Sequence, residues 1–194
     1  MRVELLDWRE PGWQPAAAMI EDHFRATHGA RITVPALRLA VARAADGRIL
    51  GAAGLRDAAC GFFSQVYIDR PVDEVLTRLA GCAVAPKDVL EVVSMACPNP
   101  AATLPLIEAI TAEGRRLGAS WGLFTATGPL MRLLRRTGVP LLPLAPAQPC
   151  RLADAARWGS YYQTDPWVCT LQECAEPLRF MPRRGTTQTG AHPE

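Results

Sequence analysis

The apolar run VLEVVSMA, residues 89–96, contains a single carboxylate, Glu91. Its β-branched content predicts a buried strand. An ionised carboxylate there is costly unless it is paired or chemically employed. Two uses fit. Burial raises a carboxyl pKa toward neutrality, which suits a general base for an attacking amine. A structural ion pair with Arg56 has the opposite effect and lowers it. Arg56 itself closes a predicted strand beside Gly54. It can hold a substrate carboxylate in a two-pronged grip or make a salt bridge at the surface.

Other groups can join such a site. In FFSQVYID, residues 62–69, Gln65 and Tyr67 alternate with Val66 and Ile68. A strand there places both on one face, lining the same cleft or meeting solvent. Trp158, Ser160, Tyr161 and Tyr162 form an amphipathic cluster that can wall an apolar pocket, donate hydrogen bonds or pack in the core. Arg132, Arg135 and Arg136 stand at i, i+3 and i+4, on one helix face. They suit docking of an acidic carrier protein or of CoA phosphates, and equally the negative end of a helix dipole. Cys97 ends the Glu91 strand, where a thioester nucleophile can sit, with no histidine near it in sequence.

The elements that must position these residues follow from the patterning. A helix is expected over residues 15–27, stopped by Gly29. Residues 36–56 read as a hairpin turning at Ala45-Asp46-Gly47. FFSQVYID is expected as a third strand, followed by a helix from Pro71 to Leu79. DVLEVVSMAC is a fourth strand. Asn99 and Pro100 then open a helix that runs to Gly118. SWGLFTAT is a fifth strand, GPLMRLLRRTG a helix, and PLLPLAPA an edge or irregular strand because of its prolines. A short helix near residues 152–158 and a last strand, WVCTL, complete the order. It predicts an α/β fold, a mixed β-sheet flanked by helices on both faces.

The 194 residues suit one domain, expected over 1–177, with a disordered tail over 178–194. No apolar run is long enough to span a membrane. The N-terminus lacks signal-peptide features, so a cytoplasmic location and no stable membrane insertion are expected. A net charge of +2 gives no case for nucleic acid. The six cysteines are scattered, with no C-x-x-C pair and no metal-ligand spacing; no metal is expected. Dinucleotide, P-loop and hydrolase-elbow motifs are absent.

Several stretches resemble the family named for thermostable hemolysin: LRLAVARAADGRILGAAGLRDA, FFSQVYIDRPVDEVL, VLEVVSMA, WGLFTATGPLMRLLRRTGV and RLADAARWGSYYQTDPWV. They cover about residues 28–172, and WGSYY ahead of Pro166 is the most specific. That family is distantly similar to the acyl-homoserine-lactone synthases, with a GNAT-like fold. The resemblance implies an active site containing Glu91 and Arg56. It also implies an aromatic proton donor to the leaving thiolate. The helix over residues 128–138 has no tyrosine, so Tyr161 or Tyr162 has to serve.

Two departures stand out. Gln65 occupies a position where the family has an acidic residue. The glycine-rich diphosphate loop of CoA-dependent GNAT enzymes is replaced by PNPAATLP, residues 98–105. An acyl carrier protein, whose phosphopantetheine thioester needs no diphosphate cradle, therefore competes with acyl-CoA as donor. The expected function is N-acyl transfer from such a thioester to a small-molecule amine, for example an amino acid. Two other readings stay open: a non-catalytic GNAT-like binding module, and a hemolysis-associated protein, acting on membranes directly or through an amphiphilic product.

Overall fold

The computed structural model describes residues 1–173; the expected tail lies outside them. Seven strands form one mixed sheet: β1 (Arg2–Leu6), β2 (Arg38–Arg43), β3 (Ile49–Arg56), β4 (Val89–Ala96), β5 (Trp121–Ala126), β6 (Leu142–Pro146) and β7 (Trp167–Gln172). Their spatial order is β1-β2-β3-β4-β5-β7-β6. Every neighbouring pair is antiparallel except β4 and β5, which run parallel.

Four helices cover the sheet: α1 (Trp13–His28), α2 (Val72–Ala80), α3 (Thr103–Arg116) and α4 (Gly128–Arg136). Side-chain alternation along the strands assigns them to faces. Leu39 and Val41 pack with Ile20 and Phe24 of α1, while Ala40 and Ala42 pack with Leu106 and Ile110 of α3. Likewise Val89 and Leu123 meet Leu76 of α2, and Ala126 and Leu171 meet Leu134 of α4. So α1 and α2 share one face, α3 and α4 the other. The fold class expected from the element order is the one observed.

Three elements depart from expectation. Residues 2–6 form an edge strand for which the sequence carries no clear strand signal. The short helix near 152–158 is a 3-10 turn, Ala155–Trp158, set among two others, Pro149–Arg151 and Tyr161–Thr164. The third expected strand does not form. Phe63–Tyr67 is a 3-10 turn instead, because its backbone donors find partners other than a neighbouring strand. The amides of Phe63 and Ser64 donate to the Glu91 carboxylate. Gln65 closes the rest: its side-chain amide donates to the carbonyls of Ile68 and Arg70 and accepts from the Val72 amide at the start of α2.

Candidate active site

The site begins with an irregularity in β4. Along β3 the step from Gly54 to Ala52 covers two residues, while β4 uses three between their partners, Val93 and Ala96. The extra residue makes a bulge, and Ser94 sits in it at φ 50°, a conformation costing a non-glycine residue about 1–3 kcal/mol. Gly54 makes room opposite: a Cβ there would lie 2.9 Å from Val93 Cγ2. The bulge bends β4 away from its other neighbour. Pairing with β5 stops at Val92–Phe124, although β4 continues to Ala96 and β5 to Ala126.

A cavity of about 360 Å³ occupies the parting. Its wall takes Val93, Ser94 and Met95 from the bulge and Thr125 from β5. Residues from both faces of the sheet complete it. Phe63, Tyr67, Trp158 and Tyr161 line one end, and Ile107, Ile110, Leu130 and Leu134 the other. Mostly apolar walls with a few polar groups are the usual make-up of a small-ligand site. The polar groups at the aromatic end are Arg56, Asp154 and Arg157.

Glu91 lies beside this cavity without forming part of its wall, and its side chain is fully buried. Its Oε2 accepts from the Phe63 amide at 2.6 Å and its Oε1 from the Ser64 amide at 2.7 Å. Arg56 approaches Oε2 only to 3.9 Å. Burial holds the carboxyl above the usual carboxylate range, against the opposing pull of the Ser64 and Phe63 donors and of Arg56. Both sequence alternatives therefore meet here: the Arg56 contact exists, and desolvation outweighs it.

Arg56 spends its nearer donors on backbone. Nε reaches the Gly61 carbonyl at 2.8 Å and Nη2 the Cys60 carbonyl at 2.6 Å, clamping the turn after β3 at the cavity mouth. Tyr67 donates to or accepts from the Tyr162 hydroxyl at 2.6 Å, and burial pushes the Tyr67 phenol far up. Trp158, Tyr161 and Tyr162 stack with Phe24 and Phe63 into one aromatic wall. Burial also raises the Tyr161 phenol well above its ordinary value.

The WGSYY segment reaches this position through its glycine. Gly159 has φ 55°, and a Cβ there would stand 2.0 Å from the His28 carbonyl oxygen. The Ser160 amide donates to that same carbonyl, and the Arg31 amide to the Arg157 carbonyl. The segment is thus tied to the end of α1.

Of the residues singled out from the sequence, Arg56, Tyr67, Trp158 and Tyr161 line the cavity, with Glu91 and Tyr162 directly behind. Gln65 does not face it, since the strand that would have turned it there is absent and its amide binds local backbone. Arg132, Arg135 and Arg136 project to the surface from α4 and contribute nothing to the cavity wall. Cys97 packs near Gly51, and burial raises its thiol, which disfavours the thiolate a nucleophile needs. The sequence reading missed Ser64, Thr125, Asp154, Arg157 and the Ser94 bulge. A lone serine inside VVSMA was the one available signal for the last.

Over residues 98–102, the start of the stretch that replaces a GNAT-type diphosphate loop, the backbone donors are already used. The Asn99 amide binds the Leu50 carbonyl, the Ala101 amide binds Asn99 Oδ1, and the Ala102 amide binds the Asn99 carbonyl. Pro98 and Pro100 have none to offer.

The family model for thermostable hemolysin matches residues 7–175. No curated protein sequence matches the chain. Among solved structures, the AHL synthase LasI has a TM-score of 0.62 at 9% identity, covering 91% of this chain and 92% of that one. FeeM, an N-acyl amino acid synthase from uncultured soil microbes, has a TM-score of 0.58 at 14% identity, covering 89% and 95%. MesI, a CoA-dependent acyl-homoserine lactone synthase, has a TM-score of 0.53 at 16% identity, covering 91% and 91%. At these identities the likeness is one of fold.

Proposed function

We propose that this chain, which belongs to the thermostable hemolysin family, is an N-acyltransferase that moves an acyl group from a thioester to a small-molecule amine. One observation carries the reading: a bulged β4 parts from its parallel neighbour β5, and an apolar cavity lies in the gap. The bulge backbone of Val93–Met95 has no β5 partner and borders the cavity. N–H dipoles held there can meet the negative charge that grows on the thioester oxygen as the amine attacks. The apolar end between α3 and α4 suits the acyl chain, and the aromatic end with Arg56 suits the acceptor. Glu91 is the base, its raised pKa bringing it nearer the operating pH. Fold neighbours that make acyl-homoserine lactones and N-acyl amino acids support the same reading.

Arg56 is assigned to an acceptor carboxylate, with an amino acid the simplest acceptor. Tyr67, Trp158 and Tyr162 shape its pocket. Tyr161 is assigned to the wall as well, because a phenol raised this far is a poor acid toward a thiolate. For the donor we favour the phosphopantetheine thioester of an acyl carrier protein, since the backbone amides of the turn over residues 99–102 are already engaged and cannot cradle a diphosphate. The surface arginines Arg132, Arg135 and Arg136 fit the acidic face of such a carrier. The product would be an amphiphile. That would reconcile a family named for hemolysis with the absence of any membrane-crossing helix among the described residues.

The test is thiol release from matched dodecanoyl thioesters of CoA and of an acyl carrier protein, with the amino acids as acceptors and intact-mass detection of the product. Amide formation that needs both substrates supports the reading. No thiol release with any acceptor rejects it. A kcat/KM as high with CoA as with the carrier rejects the donor preference alone.

A further inference from the structure

Glu91 has no direct contact with the cavity in which the substrates would meet. A base must reach the proton it takes, yet this carboxylate is fully buried, outside the cavity wall, and capped by the Phe63 and Ser64 amides. Two hydroxyls bridge the gap. Ser64, itself 1% exposed, has its hydroxyl 2.9 Å from Thr125 Oγ1, and its own amide binds Glu91 Oε1 at 2.7 Å, which holds that hydroxyl beside the carboxylate. Thr125 is in the cavity wall, one residue past the last β4–β5 pair, beside the bulge. It shares a sheet face with Leu123, the register partner of Glu91.

We infer that Thr125 and Ser64 form a hydroxyl relay that carries the acceptor's proton to Glu91 and returns it to the leaving sulfur. The inference rests on the transferase reading. The direction of the relay follows from hydrogen-bond chemistry. An ionised carboxylate only accepts, so the Ser64 hydroxyl donates to Glu91. Ser64 Oγ then accepts from Thr125, whose own lone pairs are left facing the cavity, where an amine N–H can donate to them. As the amine nitrogen bonds to the thioester carbon, its proton moves to Thr125, that of Thr125 to Ser64, and that of Ser64 to Glu91.

Protonated Glu91 reverses the chain. It now donates to Ser64, Ser64 to Thr125, and Thr125 into the cavity. When the carbon–sulfur bond breaks, its electron pair stays on sulfur, which takes the proton from Thr125. An amide and a thiol are formed, Glu91 is a carboxylate again, and no further reactant is needed. One buried acid thus serves as base and then as acid, which fits the absence of a tyrosine on α4. Burial keeps the carboxyl above its ordinary range, which strengthens it as a base, and a leaving thiolate, more basic than a carboxylate, still draws the proton back.

Thr125→Val keeps the shape and removes the hydroxyl; Thr125→Ser keeps the hydroxyl. Assays use the carrier-protein thioester, or the CoA one, with whichever amino acid the wild type accepts. We expect Thr125→Val and Ser64→Ala to lose about tenfold or more in kcat at little changed KM, and Thr125→Ser to stay within about threefold of the wild type. In Thr125→Val the acid limb of the kcat–pH profile should vanish, because Glu91 no longer exchanges protons with the substrate. Arg56 faces Glu91 from β3, and two further carboxylates line the cavity, Asp154 and the Arg115-paired Glu173, so Asp154→Asn and Glu173→Gln serve as controls and should keep the limb. In water–deuterium oxide mixtures the wild-type rate should curve, as for several protons in flight, and the Thr125→Val rate should not. Should Ser64→Ala fail to fold, the two Thr125 variants decide. A Thr125→Val enzyme with wild-type kcat and pH profile, or a Thr125→Ser enzyme as impaired as it, overturns the relay while leaving the transferase standing. A wild type that turns over no thioester overturns both.

Discussion

Gly159 approaches His28 so closely that a Cβ on it would stand 2.0 Å from the His28 carbonyl oxygen. This contact ties the segment carrying Trp158, Tyr161 and Tyr162 to the end of α1, so that the aromatic wall of the cavity depends on it. Gly159→Ala should cost at least about 1–3 kcal/mol, from both the clash and the positive φ. It should also raise the acceptor KM. Thermal unfolding and steady-state kinetics on one preparation check both.

Glu91→Gln removes the base and also changes a hydrogen-bond match. The carboxylate accepts two backbone N–H groups, whereas a glutamine amide must turn its NH2 toward one of them. The variant is expected to lose about 1–3 kcal/mol of stability. Its kcat should fall by about a hundredfold or more. A variant that loses the stability but keeps near-normal kcat would make Glu91 purely structural.

The pH dependence of folding gives a second reading on the same residue. Burial raises the Glu91 pKa in the folded chain above the ordinary 4.5. The folded state thus binds the proton more tightly than the unfolded one. The stability this adds is fully present below the ordinary value and is lost as pH rises through the raised one. Urea unfolding across pH should show this loss in the wild type and not in Glu91→Gln. For catalysis the sign is opposite: the base must be ionised, so kcat should fall as pH drops through the raised pKa.

Arg56→Lys keeps a charge but loses the planar fork that holds the Cys60 and Gly61 carbonyls. The acceptor KM should rise about tenfold or more, with the donor KM little changed. Equal rises in both would assign Arg56 to shaping the mouth instead of binding the acceptor.

Leu130 lines the apolar end of the cavity and is only partly buried, so a larger residue can be placed there without disrupting the core. Leu130→Trp should shorten the preferred acyl chain. Dodecanoyl thioesters should lose at least about tenfold in kcat/KM while butanoyl thioesters are spared. A chain-length series of thiol-release rates measures this.

Much of the architecture was legible in the sequence because it rests on local chemistry. The Asp46-Gly47 turn, the Gly29 and Gly81 helix stops and the Asn99-Pro100 start each act within a few residues, and each element formed where these signals put it. Glu91 stood out for a similarly local reason, as a charge in an apolar strand. The tertiary structure decided the rest. Whether FFSQVYID became a strand depended on where the Phe63 and Ser64 amides found acceptors, and the nearest was a carboxylate 27 or 28 residues away. The same carboxylate drew Ser64 against Thr125, 61 residues further along the chain. The gap between β4 and β5 arose from a bulge set by pairing with β3, a property of register that no single segment encodes. Long-range hydrogen bonds and strand register thus placed the groups that face the cavity, while local sequence signals placed the elements that carry them.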